Sequence, residues 1–292
     1  GNVQFGSNTA EYFQDSMEIP FFNYYLLGTG NTSNIAKANI FFSGENDWKK
    51  FDVWPPKNVE LENLYLGSEG NLSLNEKRKD ITPYDEYTSD PAHPVPYTQD
   101  VHFRRTREYM DDDQRFASRR PDVLTYETPI LNDNVTLAGP VIADLMASIS
   151  TTDADFVVKL IDVFPDDFKY DSPTSISMDE VKRMPYPMGG YEMLVRAEIM
   201  RGKFRNSFSE PEPFVPGKIS EVKWELTDVA HTFLKGHRIM IQVQSSWFPL
   251  VDRNPQKFLD IYKADDGDFQ KANIRIYHDA DHESKIILPV LK

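Results

Sequence analysis

The chain has 292 residues and a net charge of −14 at pH 7. Such an acidic surface repels phosphate backbones and anionic lipid headgroups, so nucleic-acid and membrane partners are disfavoured. The absence of Cys excludes disulfides, thiolate metal sites and a cysteine nucleophile, and no apolar run approaches the roughly 20 residues of a membrane-spanning helix.

The first predicted element is a helix that starts near Asn8. Glu11 follows Asn8 by three residues, which is the spacing of a capping box. Apolar residues then recur at every fourth position and would form one stripe along a helix: Phe13, Met17, Phe21 and Tyr25. Pro20 interrupts this pattern, so we expect it to kink the helix or split it in two before Gly28 ends it.

A strand pair is predicted after the helix. Residues 38–42 are predicted to form one strand and residues 50–54 the strand that returns. The pair Pro55-Pro56 follows, and consecutive prolines are typical of a linker. We therefore predict a domain boundary that divides residues 1–56 from residues 57–292.

The rest of the chain is predicted to consist of short strands without intervening helices. A hairpin is expected around the turn at residues 67–70, and the aromatic residues, 13% of the chain, favour strands. Later strands are predicted at residues 123–128, 135–137, 143–150, 156–164, 191–201, 221–226, 238–245, 273–278 and 285–291. Such a succession forms antiparallel sandwiches or barrels, so the predicted fold is mainly β, a jelly-roll β-sandwich over residues 57–292.

Two segments carry residue types that bind metal ions. His278 and His282 would share one face of a helix, as in some zinc sites, but strand patterns flank them and favour a turn between the last two strands. Residues 265–268 (Asp-Asp-Gly-Asp) could attract calcium, but they lack the spacing and the terminal Glu of an EF-hand loop, which favours a solvated turn. We predict neither a metal site nor a cofactor.

Another segment carries the residue types of a serine triad. Ser207 and Ser209 could combine with Asp228 and His231. Neither serine lies on a strand–turn–helix elbow, and residues 210–213 (Glu-Pro-Glu-Pro) indicate a loop. Catalysis at this position is therefore disfavoured.

The apolar loop at residues 247–250 could face a ligand or a partner domain. The interpretation we favour is structural, with the loop closing one end of the sandwich. Asp252 and Arg253 follow it and could brace the loop through an ion pair and backbone hydrogen bonds.

Five segments are more particular than β-sandwich sequence in general. They are SDPAHPVPY (89–97), DQRFASRRPDVLTYET (113–128), DFVVKLIDVFPD (155–166), GHRIMIQVQSSWFPLVDRNP (236–255) and RIYHDADHESKIILPV (275–290). Together they resemble the C-terminal domain of the cocaine esterase / X-Pro dipeptidyl-peptidase family of α/β-hydrolases, and most of all the α-amino acid ester hydrolases, also called glutaryl-7-aminocephalosporanic acid acylases. Residues 9–28 resemble the helix that follows the catalytic histidine in those enzymes.

The resemblance implies a jelly-roll, galactose-binding-domain-like C-terminal domain, with residues 1–56 a remnant of the preceding α/β-hydrolase domain. Full-length members are implied to use a serine on a G-x-S-x-G elbow, then an aspartate, then a histidine. This sequence contains no such elbow and starts downstream of the expected histidine. We therefore expect no catalytic residue here and no hydrolysis by the chain alone, because an unassisted serine hydroxyl is a poor nucleophile.

The resemblance also implies a place near the active-site mouth for one loop. The match at residues 93–96 (His-Pro-Val-Pro) puts His102 and Phe103 at the substrate rim, although His102 departs from the apolar pattern of the family. The implied partners are the upstream hydrolase and cap domains, with homo-oligomerisation also expected. We expect the helix stripe of Phe13, Met17 and Phe21 to be covered by the sandwich, a second copy or a separate chain. A periplasmic or secreted location is implied by resemblance.

Three functions stay open at this stage. The first is an accessory domain of a serine hydrolase that acts on α-amino acid esters or β-lactam side-chain amides. The second is the sibling activity, X-Pro dipeptidyl peptidase, which this chain cannot distinguish because specificity lies upstream. The third is a free-standing carbohydrate-binding module, which would present coplanar, solvent-exposed Trp or Tyr rings on a concave sheet face.

Overall fold

The computed structural model describes residues 1–75, 82–170 and 186–292. Strands dominate these residues, and most of the strands belong to one large sheet whose halves face each other. The mainly β, sandwich-like prediction is therefore confirmed. No helix among the described residues is long and apolar enough to cross a membrane.

The N-terminal helix is continuous where the sequence predicted a kink or a split. Its three segments are α1 (Thr9–Phe13), a π-helical turn (Gln14–Glu18) and α2 (Ile19–Leu27). The predicted cap is confirmed, because Oδ1 of Asn8 accepts from the backbone N–H of Glu11 at 3.3 Å. Pro20 is tolerated because it directly follows the π-helical turn, where the regular i→i−4 hydrogen bonding is already interrupted and the N–H of Ile19 donates to the carbonyl of Gln14. Gly28 ends the helix with a left-handed φ of 66°.

The strand pair forms its own two-stranded antiparallel sheet. It consists of β1 (Ala38–Phe42) and β2 (Asp47–Phe51). The first strand matches the prediction, whereas the second starts three residues earlier than the predicted 50–54. Gly44 and Asn46 both have positive φ, 87° and 59°, and this tight turn lets Asp47 pair with Phe42 at once.

The described part of the large sheet contains eleven strands. They are β3 (Val59–Gly67), β4 (Asn71–Leu74), β5 (Tyr84–Ser89), β6 (Leu124–Glu127), β7 (Val135–Ile149), β8 (Asp155–Val163), β9 (Glu192–Arg201), β10 (Ser220–Phe233), β11 (Arg238–Gln244), β12 (Ala272–Tyr277) and β13 (Lys285–Leu291). The order is β5-β12-β7-β13-β3-β4-β6-β11-β8-β9, and β10 pairs with β7. A short helix, α3 (Arg115–Ser118), precedes β6.

Two strand predictions need correction. The predicted strands 135–137 and 143–150 are one strand, β7, since Gly139 and Pro140 sit opposite the point where β10 shifts register between Leu226 and Asp228. A bulge of this kind tolerates Gly and Pro inside a strand. Strand β5 was not predicted because it is an edge strand with a polar sequence, YDEYTS.

The main core lies between the two halves of the sheet. Alternate residues of β7 and β8, such as Leu145, Phe156 and Leu160, are completely buried there and meet side chains of β10 to β13. A second apolar cluster covers the opposite face of β8 and includes Val157, Ile161 and Trp247. Strand β8 is therefore buried on both faces, which explains its nearly continuous apolar sequence.

Candidate functional site

The N-terminal helix carries the longest succession of exposed large apolar side chains among the described residues. Met17 is buried, with 8% of its surface exposed. The other large apolar side chains of the helix are exposed: Tyr12, Phe13, Ile19, Phe21, Phe22, Tyr24, Tyr25, Leu26 and Leu27. The sandwich, one of the three expected covers, leaves Phe13 and Phe21 exposed by 47% and 44%. A cover by a second copy or a separate chain stays a prediction.

Aromatic contacts hold the first turn of this helix against the β1–β2 hairpin. The ring of Tyr12 lies 5.2 Å from that of Trp48, which contacts Phe41 at 5.5 Å. Phe5 packs edge-on against Phe41 at 6.1 Å. The N-terminal segment and the hairpin thus form one packed unit, from which α2 presents its apolar residues outward. We call this surface, residues 12–27, the helix face.

The loop that carries His102 and Phe103 is anchored at both ends and exposed at its tip. Phe103 is fully exposed and His102 is exposed as well. At the base of the loop, the hydroxyl of Tyr97 accepts from the backbone N–H of Thr106 at 3.3 Å, and the Tyr97 ring packs on Tyr109. Neither His102 nor Phe103 lines the cavity described next, and their place at a substrate rim stays a prediction.

A cavity of about 370 Å³ opens where this loop returns to the sheet. It lies between residues 107–111, the N-terminal segment at Phe5, the end of β1 at Ser43, and residues 193–195 of β9. We call the loop that carries His102 and Phe103 the rim loop. Residues 107–111, which follow it, therefore face the N-terminal unit across this cavity, whereas His102 and Phe103 do not line the cavity.

Below this cavity, Ser43, His231 and Asp162 form a chain of hydrogen bonds. Nδ1 of His231 lies 2.8 Å from Oγ of Ser43, and Nε2 lies 3.2 Å from Oδ2 of Asp162. A second histidine, His237, places Nδ1 2.7 Å from the other carboxylate oxygen. Burial alone would raise the pKa of Asp162, but the hydrogen bonds from both histidines outweigh it and hold the pKa below its usual value.

The backbone around Ser43 shows what this network does locally. Ser43 donates its N–H to the carbonyl of Ala230 at 3.2 Å, and its own carbonyl accepts from Thr232 at 2.9 Å. The side chains of His231 and Asp162 are almost completely buried, at 0% and 1% exposed. The network therefore joins the β1–β2 hairpin to β10 and β8.

The serine triad considered from the sequence does not assemble. Ser207 and Ser209 contact each other at 3.3 Å. Asp228 accepts from the indole of Trp54, and His231 turns to Ser43 and Asp162 instead. Sequence reasoning missed Ser43, because its partners lie far along the chain.

A buried lysine fixes the segment that follows the rim loop. Lys159, completely buried on β8, donates to Oε1 of Gln114 at 2.8 Å. Burial lowers the pKa of Lys159 to about 7, and burial also raises that of nearby Glu192 to about 7. Glu192 accepts from Ser118 at 2.9 Å and from Gln242 at 3.3 Å. Residues 114–118 are thereby tied to three strands.

The apolar loop at residues 247–250 is mainly structural. Trp247 is 7% exposed and packs on Tyr109, in agreement with the interpretation favoured from the sequence. The expected pair between Asp252 and Arg253 is wrong, because Asp252 pairs with Arg201 at 2.7 Å. Arg253 donates to the carbonyl of Pro91 at 2.9 Å and so braces the loop through the backbone.

The side chains of the two segments with metal-binding residue types, residues 278–282 and 265–268, form local hydrogen bonds. His278 and His282 lie in the predicted turn between β12 and β13, with Nδ1 of His282 3.1 Å from Asp279. Asp265 and Asp268 cap a short 3₁₀ turn. No group of three His, Asp or Glu residues within the described ranges is arranged to hold a metal ion.

The tryptophans do not provide the surface that a carbohydrate-binding module would use. Trp224 and Trp247 are each 7% exposed, and Trp48 and Trp54 are partly buried against other rings. A mainly β domain that carries an exposed apolar helix presents the kind of surface that packs against another part of a protein or against a partner.

The family follows from comparison with known sequences. Residues 20–287 match the X-Pro dipeptidyl-peptidase C-terminal non-catalytic domain, and the chain belongs to that family. It is 31% identical to the cocaine esterase of Rhodococcus sp. (strain MB1 Bresler) over 285 residues, which are 95% of this chain and 46% of the esterase. The resemblance seen in the sequence is confirmed.

Two solved structures are similar to this chain in both sequence and fold. An aminopeptidase from the marine sediment archaeon Thaumarchaeota archaeon is 37% identical with a TM-score of 0.87, over all of this chain and 46% of the aminopeptidase. An alpha-amino acid ester hydrolase is 37% identical with a TM-score of 0.86, over 99% of this chain and 47% of the hydrolase. The chain thus spans about half the length of the relatives it matches.

Proposed function

We propose that this chain is the accessory part of a serine hydrolase and packs against the catalytic part through the helix face. In the proposed whole protein it would help to shape the pocket for α-amino acid esters, β-lactam side-chain amides or X-Pro peptides. The jelly-roll topology, the origin of residues 1–56 in the hydrolase domain and a periplasmic or secreted location belong to the same proposal. The single observation that carries it is the exposed helix face.

The size of that face suits an interface. Nine of its large apolar side chains are exposed, and six of these are aromatic. A fully buried aromatic side chain removes roughly 150–250 Å² of surface from water. A stable interface needs about 800 Å² per partner, which several half-exposed rings and two leucines can largely supply. Residues 107–111, which follow the loop with His102 and Phe103, share a cavity with the N-terminal unit at Phe5 and Ser43, so this loop would reach the partner near the helix face.

A domain exchange tests the proposal. This chain would replace the matching C-terminal half of the alpha-amino acid ester hydrolase, and the hydrolysis of an α-amino acid methyl ester would be measured. We expect turnover by the chimaera and none above background by the 292-residue chain alone. Turnover by the isolated chain would overturn the accessory role.

Matched variants test the surface. Tyr25→Glu with Leu27→Glu changes the helix face, whereas Leu61→Glu changes an apolar residue of β3 that is similarly exposed, at 66%. We expect the helix-face variant to lose most of the chimaera's activity and Leu61→Glu to keep it, because only the first would place carboxylates in an apolar interface. Equal activities would show that the helix face is not the docking surface.

A further inference from the structure

The network at Ser43 lies beside a cavity and contains the parts of an activated nucleophile. Ser43 lines the cavity of about 370 Å³, and its Oγ lies 2.8 Å from Nδ1 of His231. A serine is activated when a base lies within hydrogen-bond reach and a third group orients that base. Asp162 is the third group, 3.2 Å from Nε2 of the same ring. A reaction at Ser43 would go beyond the proposed accessory role.

The place of the ring proton on His231 follows from the charge of Asp162. Burial opposes a charged Asp162, but the hydrogen bonds from His231 and His237 hold its pKa below the usual value, so the carboxylate is ionised. Because an ionised carboxylate can only accept hydrogen bonds, Nε2 of His231 carries the proton. Nδ1 then has a lone pair and accepts from the hydroxyl of Ser43. The imidazole is therefore a base for this serine, although it acts through the nitrogen that a serine hydrolase turns to its aspartate.

The cavity walls indicate which group could reach the hydroxyl. Ser43 is half-buried, so its surface is reached from the cavity. A volume of about 370 Å³ lies within the range of small-molecule sites, roughly 300–1,000 Å³. Half of the lining residues have large apolar side chains: Phe5, Met110, Met193, Leu194 and Val195. A short apolar acyl chain suits these walls.

We propose that Ser43 takes one acyl group from an activated ester of a short apolar acid and retains it. Oγ of Ser43 attacks the carbonyl carbon of the ester, and the bond from that carbon to the leaving oxygen breaks. The hydroxyl proton passes to Nδ1 of His231 and from there to the leaving oxygen, while Asp162 stabilises the intervening imidazolium. The products are an acyl-serine and a free alcohol, so no further reactant is needed.

The acyl group stays on the serine because water does not reach the base. No part of the His231 side chain is exposed, and the new ester oxygen occupies the position next to Nδ1. Hydrolysis of an acyl-serine needs a water molecule that the same imidazole activates. The reaction therefore stops after one acylation per chain, which agrees with the absence of turnover expected of the chain alone.

A burst experiment tests the proposal. With p-nitrophenyl butyrate, the 292-residue chain should release one equivalent of p-nitrophenol and then stop. Its mass should rise by one butyryl group, which peptide mapping should locate on Ser43. No release above the spontaneous rate would overturn the acylation of Ser43 and leave the accessory role intact. Continued release that Ser43→Ala abolishes would overturn both, because it would be turnover by the isolated chain.

Matched variants identify the nucleophile and the base. Ser43→Ala should remove the burst, whereas Ser209→Ala should keep it, since the hydroxyl of Ser209 contacts only that of Ser207 among the described side chains. His231→Asn should slow the acylation at least about a hundredfold, because it removes the base, and urea unfolding shows whether this variant is folded. If it is not, Ser43→Ala decides alone, since it leaves both buried side chains in place. A burst that Ser43→Ala leaves unchanged, or a butyryl group found on other residues, would overturn the proposal.

Discussion

Oγ of Ser43 lies 2.8 Å from Nδ1 of His231, a residue 188 positions further along the chain. The imidazole continues to Asp162 through Nε2, so the residue types are those of a serine hydrolase triad, but the two ring nitrogens are exchanged, because a triad turns Nε2 to the serine and Nδ1 to the aspartate. Here the histidine and the aspartate are sealed inside the domain, and backbone hydrogen bonds bridge Ser43 to β10 on both sides. We interpret the arrangement as a polar joint that holds the β1–β2 hairpin on the sandwich.

Asp162→Asn should destabilise the protein by about 3 kcal/mol, because hydrogen bonds to a buried charged group contribute about 1.5–3 kcal/mol each. Two histidine N–H groups donate to the carboxylate of Asp162. The Asn side chain has only one acceptor oxygen, so its NH₂ group would face the second histidine N–H, and that hydrogen bond would be lost. Urea unfolding measures the change. Asp133→Asn, at an exposed position, is the control and should stay within about 0.5 kcal/mol of the native protein. A similar result for both variants would show that the joint contributes nothing.

Local patterns predicted most of the fold because the strands carry their own signals. Strands β1 and β13 begin and end where the sequence places them, and the cap at Asn8 follows from a spacing of three residues. The predictions are wrong where contacts with other parts of the chain decide whether a Gly or a Pro interrupts an element. Gly139 and Pro140 look like a break, but the shifted register of β10 accommodates them, and Pro20 is tolerated because it follows a π-helical turn.

The candidate sites were less predictable than the fold. The partners of His231 come from the residue after β1 and from the C-terminal end of β8, and only the assembled structure brings them together. Sequence reasoning considered only the nearer Ser207, Ser209 and Asp228 as partners of His231, and it disfavoured catalysis there.

Gly44→Ala should be unusually costly. A Cβ at this position would lie 2.0 Å from the carbonyl oxygen of Thr232, and the φ of 87° is itself unfavourable for alanine. The hairpin would have to move away from β10, breaking the joint at Ser43. Gly217→Ala is the matched control, because its φ of 75° is similar but nothing lies within 4 Å of the added carbon.

Gly217→Ala measures how much the free energy of unfolding falls when alanine occupies a positive φ without any steric contact, which is about 1–2 kcal/mol. The cost of Gly44→Ala should exceed it by at least about 2 kcal/mol, since overpacking adds typically 1–3 kcal/mol. Thermal and urea unfolding of both variants provide the comparison. Equal losses would mean that the close approach to Thr232 is absent in solution.

Glu192→Gln should reveal a pH dependence below neutrality. Burial raises the pKa of Glu192 from 4.5 to about 7, so the folded protein holds a proton there that the unfolded chain releases. The native protein should therefore lose stability relative to Glu192→Gln as the pH rises from about 4.5 to 7, by at least about 1 kcal/mol. Glu60→Gln, at an exposed position, should show no such trend. A constant difference between the native protein and Glu192→Gln would contradict the raised pKa.

Lys159→Met should show the opposite trend above neutrality. Burial lowers the pKa of Lys159 from 10.5 to about 7, so between these values the unfolded chain binds a proton that the folded protein does not. The stability of the native protein relative to Lys159→Met should consequently rise from pH 7 towards pH 10, by at least about 1 kcal/mol. Lys235→Met, at an exposed position, should give a flat difference. If Lys159 instead stayed charged in the folded protein up to pH 10, the stability differences of both lysine variants would be independent of pH. The hydrogen bond to Gln114 would then not be the only contact that stabilises the buried ammonium.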